Sequence, residues 1–300
     1  MDVNDLNQEK DKIGLVLEGG GMRGMYTAGV LDVFLQEGIW PDGIIGVSAG
    51  AIHGCSYLSE QLGRSVRYNL KYIKDKRYVS LRSLITTGDI FNVDFCYDTI
   101  PNQLNKFDYD TFKKNAEKIP FYVTCSNVDT GKPEYIRCRD FRNDMDYMRA
   151  SASLPLVSRI VEIHEKKLLD GGTTDSIPVA YFRSIGYHKN IVVLTRPAGY
   201  EKKPDPSINV IEKVYHKYPE YVEACRERHE MYNRTLQYID YYEKAGQILV
   251  IRPTREVRIG RLEKNTNKLK YMYKLGRHDA RAKLNEIRSF MNSDLCQAVR

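Results

Sequence analysis

Twice within residues 13–52 the chain runs from a short apolar stretch, through a turn of small residues, into a helix. Ile13-Gly-Leu-Val-Leu17 reads as a buried strand that leads into Gly19-Gly-Gly-Met-Arg-Gly24. Val30, Leu31, Phe34 and Leu35 then recur on one face of a helix that Gly38 stops. Pro41-Asp42-Gly43 turns the chain into a second strand, Ile44-Ile-Gly-Val47, and Ser48 opens a second helix at Ala49-Gly-Ala-Ile52. Strand and helix alternating in this order imply a parallel sheet, because a parallel neighbour is reached only through a crossover that packs on the sheet. The fold class expected is therefore α/β, with a mostly parallel central sheet flanked by helices.

Downstream, residues 61–118 are richer in charge and aromatics and read as helix and loop. The strand pattern resumes at 121–125 and, after a turn at Asp129-Thr-Gly131, at 133–136. Short apolar strands follow at 167–169, 190–194 and 248–251. Residues 207–245 read as one or two helices broken near Pro219, and residues 275–292 as a basic helix. No low-complexity linker divides the chain. Residues 1–200 are expected to form a catalytic core, and residues 201–300 to complete its sheet and add a basic helical extension, within one structural domain.

Three motifs carry chemistry. In Gly46-Val-Ser-Ala-Gly50 a serine lies between two glycines, after a strand and before a helix, as in a nucleophile elbow. The glycines let strand and helix approach closely, which lifts the Ser48 hydroxyl over the sheet. The second motif, Gly19 to Gly24, exposes backbone N–H groups at the start of a helix and suits an anion. It fits G-x-G-x-x-G at 19, 21 and 24, but a dinucleotide site needs an acid at the end of the next strand. That strand ends in Val47-Ser48, and no Gly-Lys-Ser/Thr follows for a phosphate loop. An oxyanion hole for acyl transfer uses both motifs together. The base is less determined. His53 is too far along its helix, His188 has the Ser, Asp, His chain order of other hydrolases, and Asp170 ends an apolar strand before Gly171 and Gly172.

In this order GGGMRG, GVSAG and DGG resemble the patatin-like phospholipase family over residues 13–195. The resemblance implies a three-layer fold, with a helical C-terminal extension as in bacterial members. It implies Ser48 as nucleophile, Asp170 as base, and no histidine. Gly20, Gly21, Met22 and Arg23 would form the oxyanion loop, and residues 150–155 would lie near the site. The implied activity is hydrolysis of lipid carboxylic esters, of phospholipase A or lysophospholipase type, with no metal or organic cofactor. A general carboxylesterase or a thioesterase would use the same dyad. Arg23 either adds charge beside the oxyanion or holds its loop through an ion pair. Phe91, Val93, Phe95, Tyr97 and Ile100 supply apolar surface for a lipid cleft or lid, or else ordinary core.

Charge is uneven. Residues 181–300 hold 24 Lys and Arg against 14 Asp and Glu, whereas residues 1–180 hold 22 against 25. The basic third suits peripheral contact with an anionic membrane or is a solvated face. No block of like charge marks a nucleic-acid partner. The six cysteines form no C-x-x-C pair and are expected to be reduced. No apolar run reaches the length of a membrane span, and the polar N-terminus lacks the apolar stretch of a secretory signal. A cytoplasmic protein is expected, compatible with visits to the inner membrane face.

Overall fold

The computed structural model describes residues 11–293. Eight strands form one sheet: β1 (Ile13–Leu17), β2 (Gly43–Val47), β3 (Phe121–Asn127), β4 (Pro133–Cys138), β5 (Val161–Ile163), β6 (Lys166–Asp170), β7 (Lys189–Val193) and β8 (Ile248–Ile251). Strands β3, β2, β1, β7 and β8 lie side by side in that order and are parallel. Every residue of β1, β2, β7 and β8 is buried, as expected of a parallel sheet covered on both faces.

Alternate side chains feed two layers. Leu15, Leu17, Ile44, Val193 and Ile251 pack into the core shared with α1 (Met25–Gln36) and α2 (Ala49–Leu58), which are followed in the chain by α3 (Arg64–Tyr72), α4 (Leu81–Thr87), α5 (Tyr109–Lys118) and α6 (Phe141–Ser151). Val16, Ile45, Val192 and Val250 point the other way. They meet Phe182 of α7 (Val179–Ser184), with Tyr232 and Ile239 of α9 (Pro219–Lys244). The break expected near Pro219 is where α8 (Ile208–Val214) gives way to α9, with the proline at the first helical position, where its missing N–H costs nothing.

The C-terminal end differs from the sequence reading. Two helices, α10 (Thr266–Ala282) and α11 (Leu284–Asn292), replace the single basic helix expected over 275–292. Leu269, Met272 and Leu275 recur at helical spacing ahead of the basic run and are buried in the main core. Asn265 caps α10 by accepting from the N–H groups of Asn267 and Lys268. Helix α10 lies so close to α1 that a Cβ on Gly276 would stand 2.1 Å from the Tyr26 carbonyl oxygen. Strand β5 was also missed: three residues joined to β6 by His164-Glu165, both at positive φ, are too short to show alternation.

The pairing of β3 positions the site. Its residues 121–124 pair with β2 in parallel and, on the opposite edge, with β4. Residues 125–127 pair with β6, and two of these, Cys125 and Ser126, also pair with β4. Strands β2 and β6 therefore share one edge of β3, end to end. The ladder of β2 finishes at Val47 opposite Thr124, and that of β6 starts at Asp170 opposite Cys125.

Candidate active site

Ser48 joins β2 to α2 with φ 52° and ψ −123°, a conformation that costs a residue bearing a Cβ roughly 1–3 kcal/mol. The surroundings hold it there. Its N–H donates to Ser151 Oγ at 2.8 Å, and that hydroxyl donates to the Thr124 carbonyl at 2.7 Å. Both partners are buried, so a break in this relay leaves an unpaired group. Ser151 belongs to the 150–155 segment expected near the site. The flanking glycines are needed for close approach: a Cβ on Gly46 would lie 2.6 Å from Ala51, and one on Gly50 2.5 Å from the Leu17 carbonyl oxygen.

Asp170 ends β6 and is only 3% exposed. Its N–H donates to the Ser153 carbonyl at 2.8 Å, and its carbonyl accepts from Ser126 Oγ at 2.8 Å. Carboxylate Oδ1 accepts from Gly172 N–H at 2.7 Å, while Oδ2 is buried and has no hydrogen-bond partner among the described residues. Burial raises the pKa of this carboxyl, opposed by Arg228, the Ser48 hydroxyl, Gly172 N–H and Arg261. The Ser48 side chain is thus near enough to stabilise the carboxylate, yet no hydrogen bond of ordinary length and angle joins the two.

The glycine loop follows β1 at the same carboxyl edge of the sheet. Met22 N–H donates to the Arg261 carbonyl at 3.0 Å, and Arg23 N–H to the Gly20 carbonyl at 3.2 Å. Among the described residues the N–H groups of Gly20 and Gly21 carry no such bond. Gly19 packs against Val47 and Gly24 against Ala49, so the loop lies directly on the elbow. Arg23 is 7% exposed, forms no ion pair within the described residues, and keeps Nε unpartnered. Burial and the neighbouring Arg196 lower its pKa to about 10.

Ser48 stands where two cavities meet. One, of about 1020 Å³ including space open to solvent, is largely apolar and reaches Ile52, Tyr97, Ile100, Phe107 and Met148. Part of its wall is a π-helical segment, Asp94–Leu104, a form that often marks functional sites. Of the five apolar residues singled out in the sequence, Phe91, Tyr97 and Ile100 line this cavity and Val93 and Phe95 do not. Phe95 instead packs edge-on against Tyr72 as core. The other cavity, of about 400 Å³ including open space, is polar and holds Asp170, Gly20, Gly21 and Arg23.

No histidine lines the cavity that contains Asp170. His53 borders the apolar one, where burial first and Arg64 second push its pKa down to about 4 and keep it neutral. His188 is exposed and immediately precedes β7, at the opposite end of the parallel strands from Ser48. Cys55, Cys96, Cys125, Cys138 and Cys225 are free thiols, and Cys296 lies outside the described residues, as does the polar N-terminus. Among the described residues no His, Cys, Asp and Glu group of three or more is arranged to hold a metal ion. No helix there is long and apolar enough to cross a membrane.

The stretch that builds most of this helix-flanked sheet also matches a known family. Residues 15–183 match the model of the patatin-like phospholipase family, and the chain belongs to that family. Residues 218–292 match a separate family described as a domain of unknown function, DUF6363. The uncharacterised protein YjjU of Escherichia coli is 30% identical over 190 residues, which cover 62% of this chain and 53% of YjjU. The lysophospholipase nte1 of Aspergillus terreus is 28% identical over 181 residues, 58% of this chain but 11% of that protein. The chain thus matches about half the length of one relative and about a ninth of the other. VipD from Legionella pneumophila superposes with a TM-score of 0.45 at 11% identity, covering 92% of this chain and 67% of VipD.

Proposed function

We propose that the chain is a serine acyl hydrolase that cleaves carboxylic esters of lipids, with Ser48 as nucleophile and Asp170 as its base. The observation that carries this reading is the position of Ser48 on the shared wall of an apolar cavity and a polar one that holds an unpartnered carboxylate oxygen. The acyl chain enters the apolar side. Ser48 Oγ attacks the ester carbonyl carbon, its proton passes to Asp170 Oδ2, and the carbonyl π electrons move to oxygen. The N–H groups of Gly20 and Gly21 receive that oxyanion, because those of Met22 and Arg23 are already committed to the carbonyls of Arg261 and Gly20. Collapse re-forms the carbonyl and expels the alcohol, which recovers the proton from Asp170. Water then attacks the acyl-serine and gives its proton to Asp170; collapse breaks the bond from Ser48 Oγ to the acyl carbon, Oγ recovers that proton, and the fatty acid leaves.

A carboxylate is a weak base for a hydroxyl, so its environment matters. Burial raises the Asp170 pKa toward the working range of a general base, and the strained elbow fixes the attacking oxygen. Two measurements test the reading. A fluorophosphonate should label Ser48 covalently, and Ser48→Ala should abolish both labelling and turnover of a lysophospholipid. Asp170→Asn should lower kcat by about 10²–10⁴-fold, the range of general-base catalysis. Undiminished turnover in Asp170→Asn would overturn the assignment of the base, and an unlabelled Ser48 the assignment of the nucleophile.

A further inference from the structure

We propose that the polar cavity beside Ser48 binds the phosphate of the substrate's headgroup, and that the C-terminal part of the chain supplies most of the charge for it. The proposal rests on the acyl-hydrolase reading and adds a substrate class to it: lipids whose leaving alcohol carries an anionic phosphate.

The topology makes the crevice. The connection after β1 goes to α1 on one face of the sheet, while the helix beyond β7 that packs on the sheet, α9, lies on the other. Neighbouring strands whose connections part in this way leave an opening at their carboxyl ends, where α/β proteins bind ligands. Glycine loop and Arg196 stand at its two sides, following β1 and β7.

Charge then selects the ligand. Arg23, Arg196, Lys202, Arg228 and Arg261 line the cavity. Among the described residues only two carboxylates share the lining, Glu18 and Asp170. Glu18 is committed to neutral donors, accepting from Thr195 N–H, Thr195 Oγ1 and Tyr232 OH. Asp170 is held by Gly172 N–H. Among the described residues none of the five cations forms an ion pair within 4.0 Å, although seventeen such pairs occur elsewhere. Aromatic rings hold two of them instead: Arg196 lies 4.4 Å from the Tyr200 ring centre and Lys202 4.4 Å from that of Tyr232.

Gathering unpaired cations in a partly buried cavity is costly unless an anion joins them. Burial first, and then Arg228 and Arg261, bring the Lys202 pKa down to about 7. Planar guanidinium groups present paired N–H donors that match phosphate oxygens. A trimethylammonium headgroup would meet repulsion in the same place. Arg228 and Arg261 fall within residues 218–292, so the segment of unknown function contributes directly to this cavity.

The test compares three substrates with one acyl chain: oleoyl lysophosphatidic acid, oleoyl lysophosphatidylcholine and monooleoylglycerol. We expect kcat/KM to be highest for the first. Its ratio to monooleoylglycerol should fall by about tenfold or more in Arg261→Gln and in the double variant Arg196→Gln, Lys202→Gln, the scale of a lost charge-assisted hydrogen bond. Calorimetric titration of inorganic phosphate into full-length Ser48→Ala reads the cavity without turnover, and binding should weaken when the same cations are removed. Phosphate binding with no preference among the three substrates would assign the cavity to a free anion and overturn the headgroup role. Neither binding nor preference, with Ser48 still labelled by fluorophosphonate, would overturn this proposal alone. Phosphate binding with Ser48 unlabelled would overturn the hydrolase reading alone.

Discussion

The two cavities that share Ser48 are made from different parts of the chain and different materials. The apolar one draws on α2 and on residues 64–154, together with Gly21, Met22, Met25 and Arg261. The polar one draws on the turns after β1, β6 and β7, on α9 and on Arg261. One offers rings and aliphatic chains, the other guanidinium groups and main-chain amides. The contrast teaches that one serine can border two environments: under the proposed function, the inserted helices would take the part of a substrate that leaves water and the C-terminal segment the part read by charge.

That division can be broken at its edges. Phe95→Ala should cost about 3–5 kcal/mol of stability, as deletion of a buried phenyl ring does, because Phe95 is core outside the apolar cavity. Urea unfolding gives the loss, and the preference for long over short acyl chains should be unchanged in the folded fraction. A changed preference would move the cavity wall. Ile52→Trp should have a smaller effect of the opposite kind. Ile52 lies one helical turn past Ser48 and lines the apolar side, so the bulkier ring should lower the long-to-short ratio of kcat/KM by about tenfold. Equal losses on octanoyl and butyryl esters would remove the acyl chain from that cavity.

The smallest expected effect links the two sides. Asp170 must be ionised to accept a proton, and its pKa is raised by burial, so kcat/KM should fall as pH drops through a value above the ordinary aspartate range. Arg261 is one of the groups that oppose the rise. In Arg261→Gln the acid limb on a neutral ester should therefore move to higher pH. A limb that stays put would mean that the cation does not sense the carboxylate.

Much of the fold was legible because apolar runs and small-residue turns are local. The strands at 13–17, 44–47 and 248–251 and the break at Pro219 needed no tertiary information. The pocket was legible only in part: nothing in the spacing of Phe91 and Phe95 reveals that one faces a cavity and the other Tyr72. Nor does sequence bring Arg196, Lys202, Arg228 and Arg261 together, since their meeting depends on which face of the sheet α9 covers. Ser151 could be placed near the site, but its bond to the Ser48 N–H is a contact across 103 residues. The basic excess of residues 181–300 was visible as a number, and its inward-facing fraction was not.

Strand β3 works as a ruler for the placement of Ser48 and Asp170. Because β2 and β6 abut along one of its edges, the spacing between hydroxyl and carboxylate is fixed by consecutive rungs of a hydrogen-bond ladder and not by the reach of two loops. A slip of β6 by a single rung would turn the acid to the opposite side of the sheet.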